Sequence, residues 1–263
     1  MQEKHSKPET SEQLFADGAP WPYPRWVAHR GAGKLAPENT LAAFRLGAAH
    51  GYRMFECDVK LSADGVPFLL HDATLDRTTN GRGNAGALAW SQLSQLDAGG
   101  WHSRVFAGEP LASLEAVARY CIANAVALNI EIKPSPGAEA KTGAVVADTA
   151  ARLWAEAGQQ LPPFLTSFSV DALEAAQEAQ PTLPRGLLLD HMQTGWLENA
   201  LRLGCVAVVM NHALWDSSTV LQAQSAGLKL LSYTVNDEWA AARLLALKTD
   251  AIITDRVDLF APD

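Results

Sequence analysis

Beyond Ser113 the chain alternates short apolar runs with amphipathic segments, and this alternation limits the fold more than any other feature. A helix is expected from near Ser113, a good N-cap, because Leu114, Val117, Ala118, Cys121 and Ile122 recur at i, i+3, i+4, i+7 and i+8. A strand is expected over Ala127–Ile132, then a helix from about Thr142 to Ala157, closed by Gly158. A strand Phe164–Phe168 and a helix Val170–Gln180 follow, then a strand Gly186–Leu189 and a helix Trp196–Leu203. The series ends with a strand Val206–Met210, a helix Ser218–Ala226, a strand Lys229–Thr234, a helix Asp237–Leu247 and a strand Ala251–Ile253. Strands alternating with helices imply a parallel sheet with crossovers. The expected fold is therefore an α/β (β/α)8 barrel, with an open doubly wound sheet as second choice. No nucleotide-binding fingerprint is read in the chain.

The early part is less regular. An apolar approach, Trp26-Val27-Ala28, leads to His29 and Arg30, and a helix is expected from Thr40 to His50. Met54–Leu61 and Val66–Leu70 both read as strands, yet only Ser62-Ala63-Asp64-Gly65 separates them. That is far too short for a parallel crossover, so the two should be antiparallel neighbours or a sharply bent pair. Residues 73–110, rich in Gly and Trp, read as a small insertion after the strand bearing His71. Residues 1–22, polar and including His5, read as a tail before one domain over 23–263.

Composition narrows the function. The 263 residues carry 29 acidic and 21 basic side chains, a formal net charge of −8, and show no basic stripe, so nucleic acid is not expected as a partner. No apolar run is long enough to span a membrane, and no stable membrane association is expected. The three cysteines, Cys57, Cys121 and Cys205, lack metal-type spacing and suit reduced thiols, so a cytoplasmic location is expected.

The chemistry-bearing residues gather at strand ends. Glu56 and Asp58, two apart on a strand, point the same way, and Cys57 between them should point to the opposite face. Two such carboxylates need a shared cation, and Glu131 would be a third. Three carboxylates make a hard-oxygen site suited to one divalent cation, Mg²⁺ or Ca²⁺. His29 and His71 are the natural proton-transfer pair, while Arg30 and Lys133 supply cations for a phosphate. A metal, two cations and two histidines are what phosphodiester cleavage requires. His191 and His212 also follow strands, but no carboxylate or cation accompanies them in phase.

The motifs HRGAGKLAPENT, FECDVKLSADG, FLLHD, TLDRTTNG, NIEIKP, LTSFS, SYTVN and IITD run in order from Trp21 to Asp258. Together they resemble the glycerophosphodiester phosphodiesterases, most closely the bacterial cytosolic type associated with glycerol-3-phosphate uptake. The resemblance implies a TIM-type barrel with a small insertion after the strand bearing His71. It implies acid/base roles for His29 and His71, metal binding by Glu56, Asp58 and Glu131, and phosphate contacts by Arg30 and Lys133. Tyr233 stands where the family often has Trp and is expected to line the substrate site. Glu38 is expected to orient the first loop or a histidine. The implied reaction turns glycerophosphocholine, glycerophosphoethanolamine and similar small diesters into sn-glycerol 3-phosphate and an alcohol. Two other readings compete: a metal-dependent lyase on a phosphorylated sugar, which would need a barrel lysine such as Lys133 as base, and a barrel that binds phosphodiesters without turnover.

Overall fold

The computed structural model describes residues 14–15, 19–158 and 161–262. Its strands are β1 (Trp26–Ala28), β2 (Met54–Leu61), β3 (Pro67–Leu69), β4 (Ala127–Ile132), β5 (Phe164–Ser167), β6 (Arg185–Leu189), β7 (Ala207–Asn211), β8 (Lys229–Tyr233) and β9 (Ala251–Thr254). Hydrogen-bonded neighbours run β1-β9-β8-β7-β6-β5-β4-β2, and β1 also pairs with β2 at Ala28 and Phe55, which closes the ring. All eight are parallel, and β3 is an antiparallel addition to the upper half of β2. The fold is thus the (β/α)8 barrel, and closure excludes the open doubly wound sheet.

The helices are α1 (Leu41–Ala49), α2 (Trp90–Leu93), α3 (Leu114–Ala123), α4 (Glu139–Glu156), α5 (Val170–Ala179), α6 (Trp196–Arg202), α7 (Ser217–Ser225) and α8 (Glu238–Ala246). Most begin where a small polar side chain can accept an orphan N–H of the first turn. Thr40, Ser113, Ser169, Asp216 and Asp237 all do so. The exceptions are α2, α4 and α6, preceded by Ala89, Ala138 and Gly195, and α4 starts three residues before the expected Thr142. Without a capping side chain, that start left no mark in the sequence.

Period-two alternation sorts every strand into two faces. Trp26, Ala28, Phe55, Cys57, Val59, Leu128, Ile130 and Ile252 face outward into one core shared with the helices. Val27, Met54, Phe164, Leu188, Val209, Leu231, Ala251 and Ile253 face inward and form an apolar barrel floor. Tyr23 belongs to that floor, and the Trp21 indole meets Phe164 edge-on at 5.5 Å. Phe15 packs there too, so part of the segment read as a tail covers the floor. His5 lies outside the described residues.

The insertion follows β3. It holds α2, two 3₁₀ turns and a small core of its own built from Phe68, Leu70, Leu75, Ala85, Leu93, Ala98 and Leu111. It also clasps the loop between β1 and α1 and the first turn of α1: His102 Nε2 bonds Lys34 O (3.1 Å), and Glu109 Oε1 accepts from Ala42 N (2.9 Å). The run Gly81–Gly86 does have G-x-G-x-x-G spacing, contrary to the sequence reading. It lies inside the insertion, where Thr74 bridges Asn84 and a 3₁₀ turn follows, without the strand-to-helix setting a dinucleotide would need. Among the described residues no helix is long and apolar enough to cross a membrane.

Candidate active site

The inward face that is apolar at the floor becomes polar at the C-terminal mouth. On β2 the inward series is Met54, Glu56, Asp58, Lys60; on β4 it is Ala127, Asn129, Glu131 and, just past the strand, Lys133. On β1 it is Val27 and then His29, and on β9 it is Ile253 and then Asp255. Parallel pairing sets Glu56 beside Asn129 and Asp58 beside Glu131. The mouth is the end at which barrels of this type keep their chemistry.

Glu56, Asp58 and Glu131 each offer an oxygen within 4.8 Å of the others, and all three are buried. Burial, then the neighbouring Asp58 charge, pushes the Glu56 carboxyl up. Asp58 goes down: burial opposes its ionisation, but Arg30, Lys133 and the Asn39 amide outweigh that cost. Asn39 holds Asp58 twice, donating from Nδ2 to Oδ2 (2.8 Å) and accepting at Oδ1 from the Asp58 N–H (3.1 Å). The two oxygens of Asp58 each face a cation, Arg30 Nε at 3.1 Å from Oδ2 and Lys133 Nζ at 3.4 Å from Oδ1. Lys133 Nζ also donates to Glu131 Oε1 (2.9 Å).

Two buried oxygens, Glu56 Oε1 and Asp58 Oδ1, accept no hydrogen bond. Such buried acceptors are costly unless a cation answers them; Lys133 stands 3.4 Å from Asp58 Oδ1, which leaves Glu56 Oε1 in the greater need of one. A hard divalent ion fits such an all-carboxylate donor set, so the residues present suit the metal that the resemblance implied.

Both predicted histidines stand at this mouth. The His29 N–H donates to Thr254 O (3.0 Å), and its Nδ1 bonds Asp255 Oδ1 (2.7 Å). Its Nε2 points toward Glu56 Oε2 at 3.7 Å. Asp255 is held in turn by Asn236, whose Nδ2 donates to Oδ2 (2.9 Å). Burial opposes charging of His29, but Asp255 and Glu56 prevail and its pKa is raised. His71 follows β3, which lies along β2 so that Leu70 N reaches Asp58 O (3.1 Å) and brings His71 to the height of the carboxylates. Its Nδ1 bonds Asp72 Oδ1 (2.8 Å), and burial, with Arg30 and Lys133, lowers its pKa despite Asp58. Each imidazole therefore rests its Nδ1 on a carboxylate, an arrangement that fixes tautomer and ring orientation, and His29 turns its Nε2 toward the carboxylate cluster.

Glu38 reaches no histidine. It accepts from Arg30 Nη1 (2.8 Å) and from Arg77, and so orients the first loop. The Tyr233 hydroxyl donates to Leu189 O (3.0 Å), and its ring meets Phe168 edge-on at 5.8 Å, the same distance at which Lys133 Nζ lies from the Phe168 centroid. His191 is exposed on Asp190, and His212 opens a 3₁₀ turn; neither joins the carboxylates. The sequence reading gave no role to Asp255, Asn39, Arg77 and Asn236, loop residues that lie within its motifs IITD, HRGAGKLAPENT, TLDRTTNG and SYTVN, nor to Lys60 and Asn129. These last two are in phase with Glu56 and Glu131, so the same alternation could have found them. Lys60 is buried and donates to Lys133 O (3.4 Å), and Asn129 accepts from Thr166 Oγ1 (2.9 Å).

The model of the glycerophosphoryl diester phosphodiesterase family matches residues 29–259. The glycerophosphodiester phosphodiesterase of Caldanaerobacter subterraneus subsp. tengcongensis is 32% identical over 236 residues, 87% of this chain and 93% of that protein. Among solved structures, an Oleispira antarctica phosphodiesterase in complex with the product sn-glycerol-3-phosphate superposes with a TM-score of 0.84 at 34% identity, covering 89% of this chain and 93% of that one. The glycerophosphodiester phosphodiesterase of Agrobacterium tumefaciens str. C58 gives a TM-score of 0.74 at 31% identity, covering 90% and 99%. The chain belongs to the glycerophosphoryl diester phosphodiesterase family and is an enzyme of that class, a phosphoric diester hydrolase.

Proposed function

We propose that this enzyme hydrolyses small, water-soluble glycerophosphodiesters, such as glycerophosphocholine and glycerophosphoethanolamine, to sn-glycerol 3-phosphate and the free alcohol. The observation that carries the reading is the pairing of two carboxylate-anchored histidines around three buried carboxylates, two of whose oxygens lack any hydrogen bond. The Oleispira antarctica relative, described with sn-glycerol-3-phosphate as product, supports the choice of product. Glu56, Asp58 and Glu131 would hold one divalent cation, Mg²⁺ or Ca²⁺, which when bound neutralises their charge and polarises substrate oxygens.

The remaining work falls to the chain. Arg30 and Lys133, one at each oxygen of Asp58, offer the phosphate fixed positive charge. One imidazole takes a proton from the attacking oxygen, which belongs to water or to the neighbouring glycerol hydroxyl. As the new P–O bond forms, the bond to the alcohol breaks, and the other imidazole protonates the leaving oxygen. Attack by the glycerol hydroxyl would give a cyclic phosphate that water then opens. Phe168 and Tyr233 wall the mouth beside Lys133, where the substrate would pass. The reading treats residues 23–263, insertion included, as one catalytic unit in the cytoplasm, a location that three unpaired buried cysteines support.

The lyase reading weakens because Lys133 is tied to two carboxylates, which raise its pKa against the cost of burial and keep it a cation rather than a base. The test is release of glycerol 3-phosphate from glycerophosphoethanolamine by metal-stripped protein, with Mg²⁺ or Ca²⁺ added back. Product that depends on the ion, and that His29→Ala and His71→Ala each abolish while remaining folded, is the expected result. Near-normal kcat in both variants, or no product from folded wild type with either ion, would overturn the reading and favour a non-catalytic binder or another diester.

A further inference from the structure

We propose that Arg77, a residue of the insertion, is a positioning residue that sets Arg30 and His71 as a single unit. What those two residues do rests on the reading above; the geometry does not. The Arg77 guanidinium makes two forked pairs. Nε and Nη2 donate to Asp72 Oδ2 (2.7 Å) and Oδ1 (3.0 Å), while Nη1 and Nη2 donate to Glu38 Oε2 and Oε1 (both 2.8 Å). Each carboxylate has a second task. Asp72 Oδ1 holds His71 Nδ1 (2.8 Å), and Glu38 Oε1 holds Arg30 Nη1 (2.8 Å). The chain His71–Asp72–Arg77–Glu38–Arg30 therefore joins the loop after β3 to the loop after β1, with Arg77 at its midpoint.

The arrangement is poorly explained as mere support for the fold. The Arg77 side chain is 45% exposed, where ion pairs add little stability. The insertion has its own core and two further ties, His102 to the same loop and Glu109 to the first turn of α1, so it stays docked without Arg77. Two forked carboxylate pairs instead restrict rotation of Asp72 and Glu38. That restriction passes to the ring of His71 and the guanidinium of Arg30. A lysine, a single point charge, cannot grip both carboxylates side by side. Misplacing a reacting group by about 1 Å can slow turnover about 100-fold, so loss of this grip should be visible in rate.

The experiment is steady-state kinetics of the metal-loaded enzyme on glycerophosphoethanolamine for Arg77→Ala, Arg77→Lys, Asp72→Asn, Glu38→Gln and the Arg77→Ala/Asp72→Asn double variant, with thermal midpoints for each. Asp72→Asn should act mainly on kcat, and Glu38→Gln mainly on KM, each by about tenfold. Arg77→Ala should do both, Arg77→Lys should not restore either, and the double variant should have about the kcat of Asp72→Asn alone. If Arg77→Ala fails to fold, the lysine variant and the two carboxylate variants carry the same test. Arg77→Lys within about twofold of wild type in kcat and KM, or full additivity in the double variant, would overturn the proposal. Absence of turnover by wild type would instead sink the reaction reading. The grip is then judged by the ¹⁵N resonances of His71: a single Nδ1–H tautomer in wild type that becomes averaged in Arg77→Lys supports it, and an unchanged tautomer refutes it.

Discussion

Replacing Gly33 by alanine should damage stability and turnover together, and the structure says by how much. Gly33 sits at φ +55°, and a Cβ there would lie 2.1 Å from the carbonyl oxygen of Asp255 and 2.3 Å from its Cα. Its own N–H donates to His29 O (2.8 Å), so the residue is pressed between the backbone that carries His29 and the backbone that carries its carboxylate partner. The left-handed conformation costs alanine about 1 kcal/mol. Relieving the overlap adds about 1–3 kcal/mol, since backbone rather than a flexible side chain must retreat, by roughly 1 Å. The sum is about 2–4 kcal/mol. A shift of that size in Asp255 turns the His29 imidazole and should lower kcat about 100-fold. Gly65 is the control, because it too has positive φ (+83°) yet a Cβ there meets nothing within 4 Å. Gly65→Ala should cost about 1 kcal/mol and leave kcat alone. Urea unfolding and the glycerol 3-phosphate assay on both variants decide the matter. If Gly33→Ala matches Gly65→Ala in both measurements, the close approach of the two backbones is not what holds the site.

Further outcomes follow from the same geometry. Burial opposes ionisation of Asp255, but the His29 hydrogen bond and the Asn236 amide prevail and bring its pKa down from 3.8 to about 2. A depressed carboxylate stabilises the fold above its unfolded value and loses that contribution as pH falls, here about 2 kcal/mol between about pH 4 and pH 2. The stability gap between wild type and Asp255→Asn in urea should therefore close over that window; a gap that does not change would contradict the His29–Asp255 pairing. Excess Mg²⁺ or Ca²⁺ should raise the thermal midpoint of wild type, by about 2.7 kcal/mol of stability at 100 times Kd, and should leave a Glu56→Gln/Asp58→Asn double variant unmoved. Equal shifts in both would place the ion elsewhere. Burial pushes the Cys57, Cys121 and Cys205 thiols up, Cys205 to about 12, so iodoacetamide at pH 8 should label them only as fast as the protein unfolds, and rapid labelling of the native protein would refute their burial.

What could be read from the sequence, and what could not, divides along a physical line. The barrel and the centre of the site are written in short-range periodicities. Glu56 and Asp58 share a face because strand side chains alternate, and Cys57 lies on the other face, in the core beneath the helices, for the same reason. Glu131 joins them because parallel register sets it beside Asp58. The residues that aim this chemistry obey no such period. Asp255 meets His29 across 226 positions of chain, and Arg77 meets Glu38 across 39, each from a loop whose course is set only once the ring has closed. The depth of the site has a cause of the same kind. Carboxylates placed one step lower on β2 or β4, at the level of Met54 and Ala127, would meet Phe164, Leu188 and Ile253 and no cation. Desolvation would then go uncompensated. One step higher, Glu56 finds the backbone N–H of Arg30 at 3.0 Å, and a step above that Asp58 finds Arg30 and Lys133 in reach. The three carboxylates therefore begin at the lowest level of the barrel at which loop residues can still answer their charge. The strands locate that level and, at their ends, Arg30 and Lys133; they do not locate Asp255 and Arg77, which arrive from distant loops.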